Sequence, residues 1–400
     1  MNLKSDFGVY DSIPNLAYFD SISTTLVPRI SAEGTKKFLE TIAVSSRRGA
    51  HNLAVQGGSK TEDVRRNLAK HLATNQYQLS FQKSIPTAVA SFAYGVYGQN
   101  KERSKIIISQ NEENSVLVSL LRIAEVLKLE IEVIPIDVEG TLDMAFLERK
   151  IDEKTGIVAV GHVTVGTGTT NPINQISKIT NEKQALLLTD ATRSIGFLDF
   201  KPQNLGADVV LFSGNIGLMG PPGLAIQWIK SEIGESHIPG ILGGSAVANV
   251  EPKSYELSLQ PDKFEAGTLN IPAIVGLGES LAYTRNLGIR NIINHLRSLW
   301  SHLEKRFSEL KEVQLYGSGR KYGTILGFNI GHDTGINCHE VAMFLDDSNI
   351  AVRSGLLCAH PLIKPMASEG LVQISIHAYN TKSDIDRMIE ALHIIIRELL

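Results

Sequence analysis

Cys358, with His360 two residues further on, is the pair in this sequence whose residue types point most directly to nucleophilic chemistry. A thiolate is a strong nucleophile, and a nearby histidine can assist it. Asp190 is a second candidate, because it follows the apolar run ALLLT at residues 185–189. A carboxylate at such a strand end can pair with a cationic ligand or cap a helix. Cys358 has the alternative of being a partly buried thiol without chemistry, and the sequence leaves both choices open.

Short apolar runs alternate with helix-like segments through the first two thirds of the chain. This alternation predicts strand-helix units in an α/β fold, with a large, doubly wound, mainly parallel sheet buried on both faces. Ligands of such sheets bind beyond the carboxyl ends of the strands, which is where Asp190 lies. The predicted strands are Lys105–Ser109, Ile131–Ile136, Ile157–Val160, Ala185–Thr189 and Val209–Ser213, and the predicted helix is Ser59–Ala73.

A smaller C-terminal α+β domain is predicted after a Gly-rich loop and an amphipathic helix that runs from about Gly276 into the 280s. We expect the large domain over residues 18–260 and the small domain over residues 1–17 and 261–400. The predicted strands of the small domain are Gly323–Ile330, Ala351–Ser354 and Val372–His377, and its predicted helices are His339–Leu345 and Lys382–Leu399.

Composition excludes several classes of protein. With 39 basic and 42 acidic residues, and no run of like charges, nothing indicates binding to nucleic acid or to an anionic membrane. No stretch reaches the roughly 18 apolar residues of a membrane span, and the start lacks a signal-peptide pattern, so we expect a cytoplasmic protein. Two cysteines make no disulfide framework, and His162, His360 and His377 lack metal-site spacing.

Seven segments, in order along the chain, resemble the class V aminotransferase family, in its cysteine desulfurase and selenocysteine lyase branch. The resemblance is collinear from about residue 18 to the C-terminus. It implies fold-type I architecture, a homodimer, and pyridoxal phosphate used to labilise a bond in an amino acid. The segments are YFDSISTTLVP (18–28), RRGAHNLA (47–54), TDATRSIG (189–196), FSGNIGLMGPPG (212–223), KFEAGTLNIPA (263–273), AVRSGLLCAHP (351–361) and ISIHAYNT (374–381).

The Schiff-base lysine that the resemblance implies is replaced by Ile216. The family segment Ser-Gly-His-Lys reads Ser-Gly-Asn-Ile here, at 213–216, and is followed by Gly-Pro at 220–221. The nearest lysines in sequence are Lys201 and Lys230, too far for a shift of register. An aliphatic side chain neither forms an imine nor carries a proton, so we expect no covalently bound cofactor.

Other positions that the resemblance assigns to the cofactor are altered as well. Glu113 takes the place of the ring-stacking histidine, and Arg193 that of a glutamine. Val165 replaces an asparagine, and in the phosphate-cupping segment Ile85 and Pro86 offer no side-chain donor. Since these losses occur together, they indicate a pocket released from its ancestral role or redirected to a new one.

Several positions are retained. Asp190 stands where the family's partner of the pyridinium nitrogen stands, and Ser213 keeps its hydroxyl. Thr268 matches the loop that reaches the neighbouring subunit's phosphate, and Arg353 matches the arginine that clamps the substrate carboxylate. Cys358 matches the persulfide-forming cysteine of the desulfurases, with His360 as a weaker catalytic candidate.

Arg193 is new relative to the family pattern, and its role has two interpretations. Together with Arg353 it would suit a small anionic or amino-acid-like ligand. Alternatively, it would pair with Glu113 and fill the emptied cofactor pocket.

Three functional hypotheses remain at this point. The first is a pseudoenzyme that keeps the dimeric scaffold and binds a different small molecule or a protein partner, in sulfur metabolism. The second is an active enzyme that binds pyridoxal phosphate reversibly and uses Lys83, His162 or His360 as a substitute base. The third is cofactor-free chemistry at Cys358.

Overall fold

The computed structural model describes residues 1–45, 49–317, 323–331 and 335–400; Arg47 and Arg48 of the RRGAHNLA segment lie outside these ranges. The helices are α1 Val9–Ser12, α2 Arg29–Thr41, α3 Asn52–Leu72, α4 Ile85–Gln99, α5 Asn114–Leu127, α6 Met144–Lys150, α7 Ile173–Glu182, α8 Ser231–Ser236, α9 Ile271–Leu287, α10 Ile289–Phe307, α11 Cys338–Asp346, α12 His360–Ile363 and α13 Lys382–Leu399. Within the described ranges, no helix is long and apolar enough to cross a membrane.

The strands confirm the predicted α/β fold class. They are β1 Ala17–Tyr18, β2 Leu79–Gln82, β3 Lys105–Ser109, β4 Glu130–Ile134, β5 Thr155–Ala159, β6 Leu186–Asp190, β7 Val209–Ser213, β8 Ala225–Ile229, β9 Val247–Glu251, β10 Ser254–Leu257, β11 Val313–Tyr316, β12 Ile325–Ile330, β13 Ile350–Ala351, β14 Arg353–Gly355 and β15 Leu371–Ser375. The large sheet has the order β2-β8-β7-β6-β5-β3-β4. It is parallel from β7 to β4, and β8 runs antiparallel to both of its neighbours.

Side chains of the large sheet alternate between two apolar layers, as period-two strands require. In β3, Ile107 belongs to the layer that contains residues of α3, α7 and α9. Ile106 and Ile108 face the opposite layer, with α4 and α5. Burial on both faces explains why these strands are continuous apolar runs in the sequence.

A smaller four-stranded sheet, in the order β11-β12-β15-β14, packs with α10, α11 and α13. N-terminal residues, including Phe7 and Phe19, are fully buried in the same apolar core. At the start of α13, Thr381 and Asp384 form a reciprocal capping box, the start signal that favoured a helix there.

Helix α9 indicates where the large domain ends and the small domain begins. It packs against α2 and α3, and Ile274 and Leu277 are buried in the core of the large sheet. The next helix, α10, is instead buried in the small core through residues such as Leu296. We therefore propose that the division lies near Gly288, rather than at 260/261 as expected from the sequence.

A buried ion pair holds the segment that ends in Gly267-Thr268. Arg65 donates to Glu265 Oε1 over 2.6 Å, and both side chains are fully buried. The same carboxylate oxygen accepts a hydrogen bond from the backbone N–H of Phe81 in β2. This network fixes the loop to the edge of the large sheet.

Candidate functional site

A cavity of about 310 Å³, the central pocket, lies beyond the carboxyl ends of β3, β6 and β7. This is the edge at which the sequence placed a ligand site. Six predicted site residues line it: Glu113, Asp190, Arg193, Ser213, Ile216 and Arg353. The remaining lining residues are Ile22, Ser23, Ile85, Ser115 and Thr192, so no lysine of the described chain lines the central pocket.

Arg193 lies between the two carboxylates of the central pocket. Its Nη1 atom is 3.5 Å from Asp190 Oδ2 and 4.0 Å from Glu113 Oε2. Asp190 also accepts a hydrogen bond of 2.8 Å from the backbone N–H of Thr192. The Nε atom of Arg193 is buried without a hydrogen-bond partner. Of the two roles open to Arg193, pairing within the pocket is therefore the arrangement present.

Glu112, which precedes Glu113 in the sequence, adds a third carboxyl group close to Asp190. It is 2% exposed and accepts a hydrogen bond of 2.6 Å from the backbone N–H of Gly161. Burial, followed by the nearby charge of Asp190, raises the pKa of Glu112 to about 8. Burial also raises the pKa of Asp190, while Arg193 opposes that rise. A pKa near 8 favours the protonated form of Glu112 at neutral pH, and Arg193 is the cation that favours the charged form of Asp190.

Ile216 and Val165 belong to one apolar cluster. Ile216 is 7% exposed and Val165 2%, and they pack in a group that includes Ile22, Phe197 and Leu357. A lysine and an asparagine at these positions would each bring a polar group into this cluster. The two replacements that the sequence showed separately are thus joined in space.

The first turn of α4 forms the wall where the phosphate-cupping segment was expected. Ser84 caps this helix, with its Oγ atom 3.3 Å from the backbone N–H of Thr87 and 2.9 Å from the Thr87 hydroxyl. Pro86, in the first turn, has no N–H. The buried Ile85 presents an apolar side chain to the pocket. Much of the donor capacity of this helix end is therefore used or missing.

Arg353, at the start of β14, reaches the central pocket from the small unit. Its Nη1 atom donates to Ser23 Oγ over 2.9 Å, and its Nη2 atom lies 3.1 Å from Cys358 Sγ. Cys358 is exposed and adopts a left-handed backbone, with φ of 57°. The structure therefore brings together the predicted clamp arginine and the predicted nucleophile at the rim of the pocket.

Other residues selected from the sequence do not line the central pocket. Thr268 is exposed, and its carbonyl accepts a hydrogen bond from Lys83 Nζ. His360 is exposed at the first turn of α12, and the described residues show no hydrogen bond between it and Cys358. His162 uses Nδ1 in a contact of 2.7 Å with Ser194 Oγ. The described chain also has no group of three or more His, Cys, Asp and Glu residues that could hold a metal ion.

Sequence reasoning did not single out Glu112, Ile22, Ser23 or Thr192 as site residues. Glu112 carried a signal, since it follows a buried strand on the same sheet edge as Asp190. Ile22 and Ser23 lie within a segment that carried the resemblance, but only the fold shows that they reach the pocket.

The sequence matches the family described as aminotransferase class-V over residues 17–388, nearly the whole chain. The chain belongs to the class-V aminotransferase family. In this chain, the central pocket lies at the strand ends where the sequence predicted the ancestral cofactor pocket.

Class-V aminotransferase relatives of this chain include cysteine desulfurases. A probable cysteine desulfurase of Pyrococcus abyssi is 31% identical over 384 residues, covering 96% of this chain and 94% of that protein. The cysteine desulfurase of Shigella sonnei is 30% identical over 404 residues, covering 99% and 98% of the two chains. The apo structure of a cysteine desulfurase from Thermococcus onnurineus NA1 has a TM-score of 0.90 and 30% identity, and the match covers 99% of this chain and 98% of that one.

Proposed function

We propose that this chain is a cysteine desulfurase-like pseudoenzyme whose central pocket binds a small, amino-acid-like ligand without a covalently held cofactor. The observation that carries the proposal is the position of Arg193 between Asp190 and Glu113, in a pocket lined by Ile216, which the resemblance assigns to the lysine position. We place it in the cytoplasm, in sulfur metabolism, where it acts through this ligand or a protein partner.

The residues of the central pocket do not fit pyridoxal phosphate at its ring end. In the family pattern, Asp190 is the anion that pairs with the cationic ring nitrogen. Here Arg193 already supplies that cation from within the chain, 3.5 Å from the carboxylate. Glu113, at the ring-stacking position, adds a negative charge on the side where an anionic cofactor would lie.

The attachment and phosphate ends do not fit the cofactor either. Ile216 and Val165 are packed in an apolar cluster instead of offering an amine and an amide. At the start of α4, Ser84 caps the helix and Pro86 lacks an N–H, so few donors remain for a phosphate.

The charges of the central pocket suit a zwitterion instead. Its lining carries two carboxylates, Glu113 and Asp190, and two guanidinium groups, Arg193 and Arg353. The family resemblance implies that Arg353 holds a ligand carboxylate by two hydrogen bonds, which would replace its contacts with Ser23 and Cys358. Glu113 lies 4.0 Å from Arg193, which is a long distance for an ion pair, so its carboxylate can accept a hydrogen bond from a ligand ammonium group.

We also propose that the chain acts as a homodimer. The loop at Thr268 is exposed and lies away from the central pocket of its own chain. The neighbouring β9–β10 hairpin exposes Val250 and Tyr255, by 65% and 54%, and Leu259 beyond it is 88% exposed. Apolar side chains at such exposure favour burial against a second subunit.

Cofactor-free chemistry at Cys358 is a second candidate, favoured by the contact of Arg353 Nη2 with Cys358 Sγ. The reactive form of a cysteine is the thiolate anion, and a guanidinium group 3.1 Å from the sulfur would stabilise that anion. The remaining hypothesis, an active enzyme with a substitute base, has less support because Lys83, His162 and His360 do not line the central pocket.

The proposal predicts that Ile216→Lys alone does not create a cysteine desulfurase. The new side chain would lose the apolar packing of Ile216, and Arg193 would still occupy the ring end of the pocket. We expect sulfide release from L-cysteine, with added pyridoxal phosphate and reductant, to stay at the wild-type background. The measurement is sulfide production, accompanied by peptide mass mapping of any borohydride-reduced adduct.

Two further variants make this test decisive. Ile216→Lys with Arg193→Gln, and the same pair with Val165→Asn, restore the family pattern step by step, and urea unfolding shows whether each variant is folded. An adduct that forms on residue 216 only after Arg193 is removed would support the proposal. Sulfide release by Ile216→Lys alone would contradict it.

A further inference from the structure

A second cavity, of about 710 Å³, lies between the turn that follows β6 and helix α10. It is more than twice the size of the central pocket, and none of its lining residues lines that pocket. One wall is formed by residues of the 197–205 segment and the opposite wall by α10, with Thr324, just before β12, closing one side.

Aromatic and aliphatic side chains form the body of the second cavity. Phe197, Phe200, Leu296 and Trp300 line it, and each of them is 9% exposed or less. The Trp300 indole lies directly against Gly323, where a Cβ atom would overlap the ring. Their aromatic rings and aliphatic side chains offer an apolar surface on which a flat apolar ligand could pack.

Two polar groups inside this apolar lining have unused hydrogen-bonding capacity. Thr324 is only 6% exposed, and its hydroxyl has no hydrogen-bond partner in the described chain. The ring of His162 is held through Nδ1 by Ser194, which leaves Nε2 without a partner among the described residues. Burial lowers the pKa of His162 to about 4, so the ring is neutral at physiological pH. Both groups are therefore available to form hydrogen bonds with a ligand that enters the cavity.

The charged residues of the second cavity favour an anion. Lys201 and Arg297 both line it and are exposed, and neither forms an ion pair within the described residues. Asp199 is the one acidic lining residue. With His162 neutral, the lining has a net charge of +1, and its two cations are free to contact a ligand.

We propose that the second cavity binds a small organic anion with a flat apolar body, of the aromatic carboxylate or sulfonate class. The apolar body packs against Phe197 and Trp300. The anionic group contacts Arg297 and Lys201, and Thr324 donates its hydroxyl to the ligand. This site is separate from the central pocket and does not depend on the function proposed for it.

Trp300 makes the proposal directly measurable, because the chain has only two tryptophans. The other, Trp228, is buried in β8, so Trp228→Phe leaves Trp300 as the sole reporter. The probe is anilinonaphthalene sulfonate, titrated into this variant while energy transfer from the indole is recorded. We expect saturable transfer, and we expect Arg297→Gln to weaken binding by about tenfold or more, as loss of a charge-assisted hydrogen bond should.

Matched variants locate the bound probe. Arg290→Gln removes an exposed arginine of α10 that does not line the cavity, and we expect unchanged binding. Ile293→Phe narrows the cavity at a half-buried lining position and should abolish saturable transfer. It tests the site independently of Arg297→Gln. The proposal is overturned if no saturable transfer occurs, if Arg297→Gln and Ile293→Phe both leave it intact, or if Arg353→Gln in the central pocket removes it while they do not.

Discussion

Replacing Arg193 with methionine is expected to lower the free energy of unfolding by about 3 kcal/mol, the lower end of the range for breaking a buried ion pair. Asp190, whose side chain is 4% exposed, would keep its carboxylate but lose its cation. Methionine preserves much of the side-chain volume, so the loss reports the charge more than a cavity. Urea unfolding, followed by circular dichroism at neutral pH, measures the change.

The double variant Asp190→Asn with Arg193→Met serves as the matched partner. With both charges gone, no uncompensated ion remains, and we expect more than half of the lost stability to return. Arg149→Gln, in an exposed pair with Asp143, should change the free energy of unfolding little. Equal stability of wild type and Arg193→Met would show that Asp190 has no need of Arg193.

Glu112 should make the protein less stable as the pH rises from about 4.5 to about 8. The unfolded chain ionises this carboxyl near its ordinary pKa of 4.5, whereas burial keeps the folded-state pKa near 8. Between these values only the unfolded state releases the proton, so increasing pH favours unfolding. The linked loss amounts to roughly 4–5 kcal/mol over the whole interval.

Glu112→Gln should remove this pH dependence. The variant has a constant cost, because Glu112 accepts N–H groups of both Gly161 and Glu113, and an amide keeps only one acceptor oxygen. The quantity to compare is the difference in unfolding free energy between variant and wild type at a series of pH values. Taking this difference removes the contribution of buried histidines such as His162 and His377, which is the same in both proteins. Their lowered pKa values make the protein more stable as the pH rises toward 6.5, which is the opposite effect.

With each unit of pH up to about 8, we expect the unfolding free energy of Glu112→Gln to rise relative to that of wild type. The exposed Glu130, on β4, provides the control, and Glu130→Gln should run parallel to wild type. A difference that stays flat between pH 5 and 8 for Glu112→Gln would mean that Glu112 is ionised in the folded protein.

The central sheet was predictable because its strands are buried on both faces. Lys105–Ser109 and Val209–Ser213 have the predicted bounds, since each is a continuous apolar run with a clear end. Ala351–Ser354 was predicted as one strand but forms the separate strands β13 and β14. Such a short segment carries too little pattern to show a change of pairing partner, from β1 to β15.

The candidate site was predictable only as a set of strand-end residues. The sequence placed Glu113 after β3, and Asp190 and Arg193 at the end of β6. The parallel sheet, in which β5 alone separates these strands, brings the three residues together. It left the role of Arg193 open, because the direction of a long side chain depends on the packing around it. Likewise, Ile216 and Val165 belong to one apolar cluster although they are distant in sequence, which no local pattern records.

We propose that the central pocket holds its own ion pair, Arg193 with Asp190, in place of a covalently attached pyridoxal phosphate. An absorbance spectrum and intact mass of the protein as purified, repeated after adding pyridoxal phosphate and reducing with borohydride, test it most directly. We predict a colourless protein, with no pyridoxyl group fixed in the central pocket after reduction. A yellow protein with a reduced adduct on one defined lysine would contradict the claim and identify a working base.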